Sequence, residues 1–239
     1  VLKKINYELA FNDEFKGSTL DTTKWSHRYL GIRKLGVTTA EAVSVENGHL
    51  RIKTYKDPAT GKICTGMIGT ESKFDSRYGY FEARVRFPQA TGMQASFWLQ
   101  SATYGQTIGD PQHSGVEVDI EYVHKEPEKL HFTTHWDGYG ADKQKSYGYL
   151  QSPTLDDGDW HTIGVWWREE TPGIGNIGVY EFYVDGVAVH EKKQPISAAM
   201  QYIVVSCEVT EWAAPIDEAA LPAYFDVDYV RVYQKREEV

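Results

Sequence analysis

The 239 residues predict an all-β fold of two stacked antiparallel sheets, on three observations. Short segments that alternate apolar with polar residues recur along the chain, separated by turn residues. Helical periodicity never extends beyond a few turns, and its best stretch, Ile196 to Tyr202, is short. The pair Asp185-Gly186 stands between Tyr180–Val184 and Val187–His190, and such a pair tolerates the positive φ angles of a tight hairpin.

Taken in order, the segments support this reading. Leu50 and Ile52 alternate with Arg51 and Lys53. From Tyr78 to Phe87, residues Gly79, Phe81, Ala83, Val85 and Phe87 share a core face, and Tyr80, Glu82, Arg84 and Arg86 share an exposed one. Ala95 to Gln100 reads as a strand beside the segment Val116 to Val123, and Leu130 to Trp136 as the strand that follows. Near the C-terminus, Phe225, Val227, Tyr229, Arg231 and Tyr233 alternate with Asp226, Asp228, Val230 and Val232. Loops are expected at Asp57–Ile63, Thr103–Ser114, Gly138–Tyr147 and Glu169–Gly178, which are rich in Gly, Pro and polar residues. With no internal repeat or linker, residues 1–239 are expected to form one catalytic domain.

Within Val116 to Val123, the residues Val116, Val118, Ile120 and Tyr122 line one face, and Glu117, Asp119 and Glu121 line the other. Three like charges in a row repel, and the usual relief is that one carboxyl stays protonated. A proton-bearing acid beside an ionised one is the equipment for cleaving a glycosidic bond. Alternate strand residues rise about 6.6 Å, so Glu117 and Glu121 are about 13 Å apart at Cα. Their carboxyls approach each other only when the long side chains lean inward across a bent strand. Asp119, the shorter acid in the middle, is placed to hydrogen-bond Glu117. The plainer alternative is a solvated strand face with scattered acids.

Seven Trp and sixteen Tyr suit a sugar cleft, whose flat aromatic walls meet the apolar faces of pyranose rings. Trp98 is expected on the groove side with Phe97 in the core. His135 points into the groove, where it serves a sugar hydrogen bond or tunes a carboxylate. Trp136 is expected to form one wall, and Glu208 with Trp212 a further subsite. His131 and His135 lie four residues apart on a strand, too far for one zinc, so a transition-metal site is rejected.

Several further runs carry a resemblance. Phe11-Asn12-Asp13-Glu14-Phe15 with Leu20-Asp21 and Trp25, Val45 to Leu50, Gly79 to Val85, Phe97-Trp98-Leu99, the acidic strand, Asp159 to Thr162, Phe182 to Gly186 and Asp228 to Tyr233 occur in the order seen in glycoside hydrolase family 16. The chain resembles that family over nearly its whole length. The resemblance implies a concanavalin-type β-sandwich jelly roll with a concave substrate groove. It implies Glu117 as nucleophile, Glu121 as acid/base and Asp119 as helper, with retention at the anomeric carbon. It also implies that the matching tryptophan, Trp98, lines the cleft near the cleavage point. No cofactor serves catalysis, but a structural calcium is implied at Glu14, the Gly48 carbonyl and Asp228, oxygen ligands that suit a hard cation.

Two departures bear on substrate. The stretch from Ser206 to Trp212 differs from the laminarinase pattern, and the acidic strand lacks the extra residue between Asp119 and Glu121 that many laminarinases, agarases and carrageenases have. The unbulged form resembles lichenases and transglycosylases. An endo-β-glycanase acting on a β-1,3- or mixed β-1,3-1,4-glucan is the favoured expectation, with an endo-β-galactanase or a transglycosylase as alternatives. A non-catalytic carbohydrate-binding module is the alternative from another class, and intact Glu117 and Glu121 argue against it.

Net charge of −9 with a pI near 5.4 and no long basic cluster excludes a nucleic-acid partner. No apolar stretch approaches the roughly 20 residues of a membrane span. The partner expected is a polysaccharide or oligosaccharide, the chain a monomer, and the location secreted or cell-surface, with any export signal already removed. Cys64 and Cys207 read as two free thiols.

Overall fold

A computed structural model describes residues 6–170, 178–193 and 195–236. The strands run β1 (Tyr7–Asp13), β2 (Ser26–His27), β3 (Gly31–Arg33), β4 (Gly36–Thr38), β5 (Val43–Glu46) and β6 (His49–Lys56). There follow β7 (Ile63–Thr65), β8 (Met67–Gly69), β9 (Gly79–Arg86), β10 (Met93–Gln100), β11 (Glu117–Val123) and β12 (Lys129–Trp136). The last are β13 (Gln144–Gln151), β14 (His161–Glu169), β15 (Gly178–Val184), β16 (Val187–Lys192), β17 (Tyr202–Val209) and β18 (Ala223–Lys235). Among the described residues a single short α-helix, α1 (Pro111–Ser114), precedes β11 and is capped by the Asp110 carboxylate.

Two sheets stack face to face. One has the order β16-β15-β14-β9-β18-β6-β7-β4-β3, with β1 on β18 and β5 on β6; the other runs β13-β12-β11-β10-β17-β8-β2. The core between them takes Phe81, Ala83, Val85, Trp167, Phe225 and Val230 from the first, and Phe97, Leu99, Val118, Ile120, Phe132, Ile203 and Val205 from the second. Period-two alternation makes this possible, because the strands of the smaller sheet send apolar residues inward and polar ones outward. The outward face of that sheet is the floor of the groove.

The Asp185-Gly186 turn joins β15 to β16 with φ of 50° and 78° at its two residues. Both thiols are buried and unbridged.

Other expectations need correction. Ile196 to Tyr202 is not helical: Ser197 N–H donates to the Tyr180 hydroxyl, Ala198 N–H to the Gln112 carbonyl and Gln201 N–H to the Ser76 carbonyl. Tertiary partners take the donors that a one-turn helix leaves unsatisfied. The alternation expected along β18 breaks at a bulge between Val227 and Tyr229, so Phe225 and Val227 face the core first, then Val230 and Val232. The outer face of β9 is not wholly exposed, because Tyr80 packs against Tyr183 and Tyr233, and Glu82 accepts a hydrogen bond from Tyr229.

The loop expected at Gly138–Tyr147 ends earlier, since Gln144 opens β13, and the one at Asp57–Ile63 ends before Ile63 opens β7. The loop at Thr103–Ser114 contains α1. Of the loop at Glu169–Gly178, residues 171–177 lie outside the described residues.

Candidate active site

Strand register builds the site as a lattice of outward side chains. On β11 these are Glu117, Asp119 and Glu121, with no bulge in the pairing to either neighbour. On β12, His135 lies opposite Glu117, Thr133 opposite Asp119 and His131 opposite Glu121. On β10, Trp98 lies opposite Asp119 and Ser96 opposite Glu121. Beyond β10, residues Glu208, Ser206, Val204 and Tyr202 of β17 stand beside Gln94, Ser96, Trp98 and Gln100. A pocket of about 250 Å³ opens over this lattice and includes all three acids, Trp98, His135, Glu208 and Trp212. A neighbouring pocket shares Glu121, His135 and Trp212 with it and adds Lys145 and Tyr147, so the cleft continues past the acids.

The three acids sit in different surroundings. Glu121 accepts from Gln94 Nε2 at 2.5 Å and from Thr133 Oγ1 at 3.1 Å. Burial first, and the Glu117 charge among the further causes, push its carboxyl up to about 7. Asp119 has no such donors among the described residues; burial and then the charges of Glu117 and Glu121 raise its carboxyl well above the usual range. Glu117 is also raised by burial, but the Tyr139 hydroxyl and Gln100 Nε2 (2.6 Å) both donate to its Oε2 and oppose that rise. The set is thus graded: a carboxyl held by two donors at one end, one raised well above the usual range in the middle, and one pushed up to about 7 at the other end.

His135 Nε2 lies 3.5 Å from Asp119 Oδ2. Burial, with Lys143 and Lys145 nearby, pushes the imidazole down to about 4, so it is neutral at neutral pH. Glu208 is paired with Arg33 at 2.6 Å. Trp212 meets the His131 ring edge-on at 4.8 Å and forms the wall on the Glu121 side.

Trp98 takes the groove side of β10, and Phe97 the core side. Yet Trp98 is only 6% exposed, packed with Met67, Tyr202 and Val204 and donating its Nε1–H to Ser206. It is the floor of the cleft rather than an open platform.

Trp136 does not join the acids. One residue along from His135, its side chain leaves on the opposite face, packs against the inter-sheet core and borders a separate pocket with Pro111 and Ile196. The wall expected from it is supplied by Tyr139, three residues on.

The set expected to bind calcium is arranged differently. Arg231 holds Glu14 through two hydrogen bonds of 2.8 and 2.9 Å, and Arg84 holds Asp228 at 2.7 Å. Guanidinium groups already neutralise both carboxylates, so these residues do not fit a calcium site.

Sequence reasoning missed Gln94, Gln100, Arg33, Lys34, Tyr139 and Lys143, all in or against the pocket. Parity would have found the two glutamines, since 94, 96, 98 and 100 share a strand face. Loop residues carry no such signal.

A row of three carboxyls on the groove face of a two-sheet jelly roll with aromatic walls defines a glycoside hydrolase. Residues 7–235 match the family model described as the glycoside hydrolase family 16 domain of β-porphyranases A–D. The chain belongs to glycoside hydrolase family 16 and is an endo-acting glycoside hydrolase. It is 28% identical to β-porphyranase E of Zobellia galactanivorans, an alignment covering 94% of this chain and 86% of that protein. It is 27% identical to a β-glucanase of Rhodothermus marinus, covering 97% and 87% respectively. Among solved structures, a variant of SCLam, a non-specific endo-β-1,3(4)-glucanase with a glucan oligosaccharide at its active site, superposes with a TM-score of 0.81. It is 27% identical, and the match covers 97% of this chain and 96% of that one. Among the described residues no helix is long and apolar enough to cross a membrane.

Proposed function

We propose that the chain hydrolyses internal linkages of an anionic β-galactan with retention of configuration. In this reading Glu117 is the nucleophile, Glu121 the acid/base and Asp119 the proton-bearing helper between them. The observation that carries the chemistry is the row of three carboxyls on the groove face of β11, in which the Tyr139 hydroxyl and Gln100 hold Glu117 and burial pushes Glu121 up to about 7.

In the first step Glu117 attacks the anomeric carbon as the bond to the departing sugar breaks. The electron pair moves to the departing oxygen, and Glu121 supplies its proton. Glu121, now ionised, takes a proton from water, which displaces Glu117 from the same carbon. Two inversions give net retention. The carboxyl of Asp119, between Glu117 and Glu121, is raised well above the usual range, which disfavours a second negative charge among the acids, and His135, pushed down to about 4, is neutral beside it.

The choice of substrate turns on charge. Arg33, Lys34 and Lys143 line the same pocket as the acids, and neither lysine has a carboxylate partner among the described residues. Ammonium groups without a carboxylate partner beside a sugar cleft suit sulfate or carboxylate substituents. The match to a porphyranase model supports a galactan over the glucan that the sequence favoured. A neutral β-glucan remains the second reading, favoured by the glucanases among the relatives.

A polysaccharide panel of sulfated galactans, neutral agarose, laminarin and mixed-linkage glucan, with product sizing and anomer detection by NMR, tests the proposal. Oligosaccharides released from a sulfated galactan with retained configuration are expected. Cleavage of β-glucans alone overturns the galactan assignment, and binding without cleavage of any polymer overturns the catalytic one.

A further inference from the structure

Glu117 has two oxygens, and only one of them is engaged. Oε2 accepts from Gln100 Nε2 at 2.6 Å and from the Tyr139 hydroxyl, whereas Oε1 has no hydrogen-bond partner among the described residues. Gln100 is itself held: Tyr202 donates to its Oε1 at 2.5 Å, Arg28 donates to Tyr202 at 3.1 Å, and Glu71 pairs with Arg28 at 2.9 Å. One side of the anchor is therefore rooted in the sheet.

The other side comes from the loop between β12 and β13. Tyr139 is 59% exposed, yet the loop that carries it is fastened. The Asp137 carboxylate accepts from Gly109 N–H at 2.8 Å, and the Tyr104 hydroxyl donates to the Gly138 carbonyl at 3.3 Å. The Tyr104 and Tyr139 rings pack at 4.9 Å. Gly105 and Gly138 approach so closely that a Cβ on Gly105 would stand 2.6 Å from the Gly138 Cα. The two loops are built against each other, and their joint product is a phenol aimed at one carboxylate oxygen.

We propose that Tyr139 is a positioning residue for the reaction: with Gln100 it pins Oε2 of Glu117, leaving Oε1 as the oxygen that attacks the anomeric carbon. This rests on Glu117 being the nucleophile. When Oε1 bonds to the anomeric carbon, Oε2 becomes the carbonyl oxygen of the glycosyl ester and stays within reach of both donors. When water displaces the ester, the electron pair of the breaking bond returns to the carboxylate. The two donors stabilise that returning charge. Tyr139 therefore assists the second step and favours the ionised form of Glu117 before the first.

The test is Tyr139→Phe, which keeps the ring and its packing on Tyr104 while removing the hydroxyl. The other groups around Glu117 stay as they are: Asp119 and Glu121 on its own strand, His135 across from it, Glu208 on β17, and Lys143 and Tyr104 from the loops. Loss of a donor raises the carboxyl, so the acid limb of kcat/KM is expected to move up by about one pH unit. On an activated aryl glycoside, kcat is expected to fall about tenfold or more. The melting temperature stays at the wild-type value. Gly105→Ala, at φ of 72° and crowding Gly138, displaces the loop without altering a catalytic group and is expected to move the acid limb the same way.

An intermediate trapped with a 2-deoxy-2-fluoro glycoside is expected to carry its sugar on the oxygen remote from Gln100 and Tyr139. A sugar on the oxygen that they hold, or a Tyr139→Phe variant with the wild-type acid limb and kcat, overturns the proposal. Glu117→Gln run alongside separates the two layers. An inactive Glu117→Gln beside an unaltered Tyr139→Phe removes the role of Tyr139 alone, and an active Glu117→Gln removes both.

Discussion

Glu121 shows how surroundings divide labour between identical side chains. Burial raises its carboxyl, Thr133 and Gln94 pull it back, and the Glu117 charge raises it again, leaving it at about 7. In the proposed mechanism this group acts in its protonated form, so activity is expected to be lost as pH rises through that value. The basic limb of kcat/KM is expected near pH 7, falling tenfold per unit above it, and a plateau that runs past pH 9 would contradict the assignment. Glu121→Ala is expected to slow turnover of natural polysaccharide by at least about a hundredfold while sparing aryl glycosides whose leaving groups need no proton. Azide restores rate by attacking where activated water no longer does, and the glycosyl azide keeps the configuration of the substrate. Equal losses on both substrate types would assign Glu121 a structural role.

At the scale of the element, parity along a strand decides which residues meet. One step separates His135, beside Asp119, from Trp136, in the inter-sheet packing, and the same step separates Trp98 from Phe97. Alternation made the acids, His135 and Trp98 legible from the sequence. It did not reveal that Trp98 is nearly covered, because that depends on Met67, Tyr202 and Val204 from other strands. Trp98→Ala is therefore expected to cost about 3 kcal/mol of stability as well as activity. Denaturant unfolding beside a kinetic assay checks this, and a variant of wild-type stability would mean that the ring stands open to the sugar. The bulge in β18 marks the other limit of alternation: a single extra residue reverses which face Val230 and Val232 take, and no residue type announces it.

Across the whole molecule, the larger sheet supports the smaller one and holds its outer face together with arginine–carboxylate pairs. Asp226 is buried and bonded by Arg51 at 2.7 Å and Arg86 at 2.6 Å, while Arg231 and Arg84 hold Glu14 and Asp228. Where a calcium ion was expected to bring acids together, guanidinium groups do so. Dialysis against EDTA is accordingly expected to leave the melting temperature within about 1 °C of that in millimolar calcium, since arginines already hold Glu14 and Asp228. A drop of several degrees on chelation would show that a cation binds in spite of these pairs.

The sequence by itself determined the all-β class, the inward and outward faces of the strands in the smaller sheet, the row of acids and the family. All of these are local: they follow from period-two alternation, from turn residues such as Asp185-Gly186, and from short motifs in order. Tertiary structure alone decided that Tyr139 and Gln100 hold one oxygen of Glu117, that Trp136 leaves the cleft, and that arginines meet Glu14 and Asp228. Each of those outcomes joins residues from separate elements: Gln100 lies 17 positions from Glu117, and Arg231 lies 217 from Glu14. Such pairings are set by how sheets stack and loops fold back, and a linear pattern of polarity does not encode which of two distant polar groups will meet.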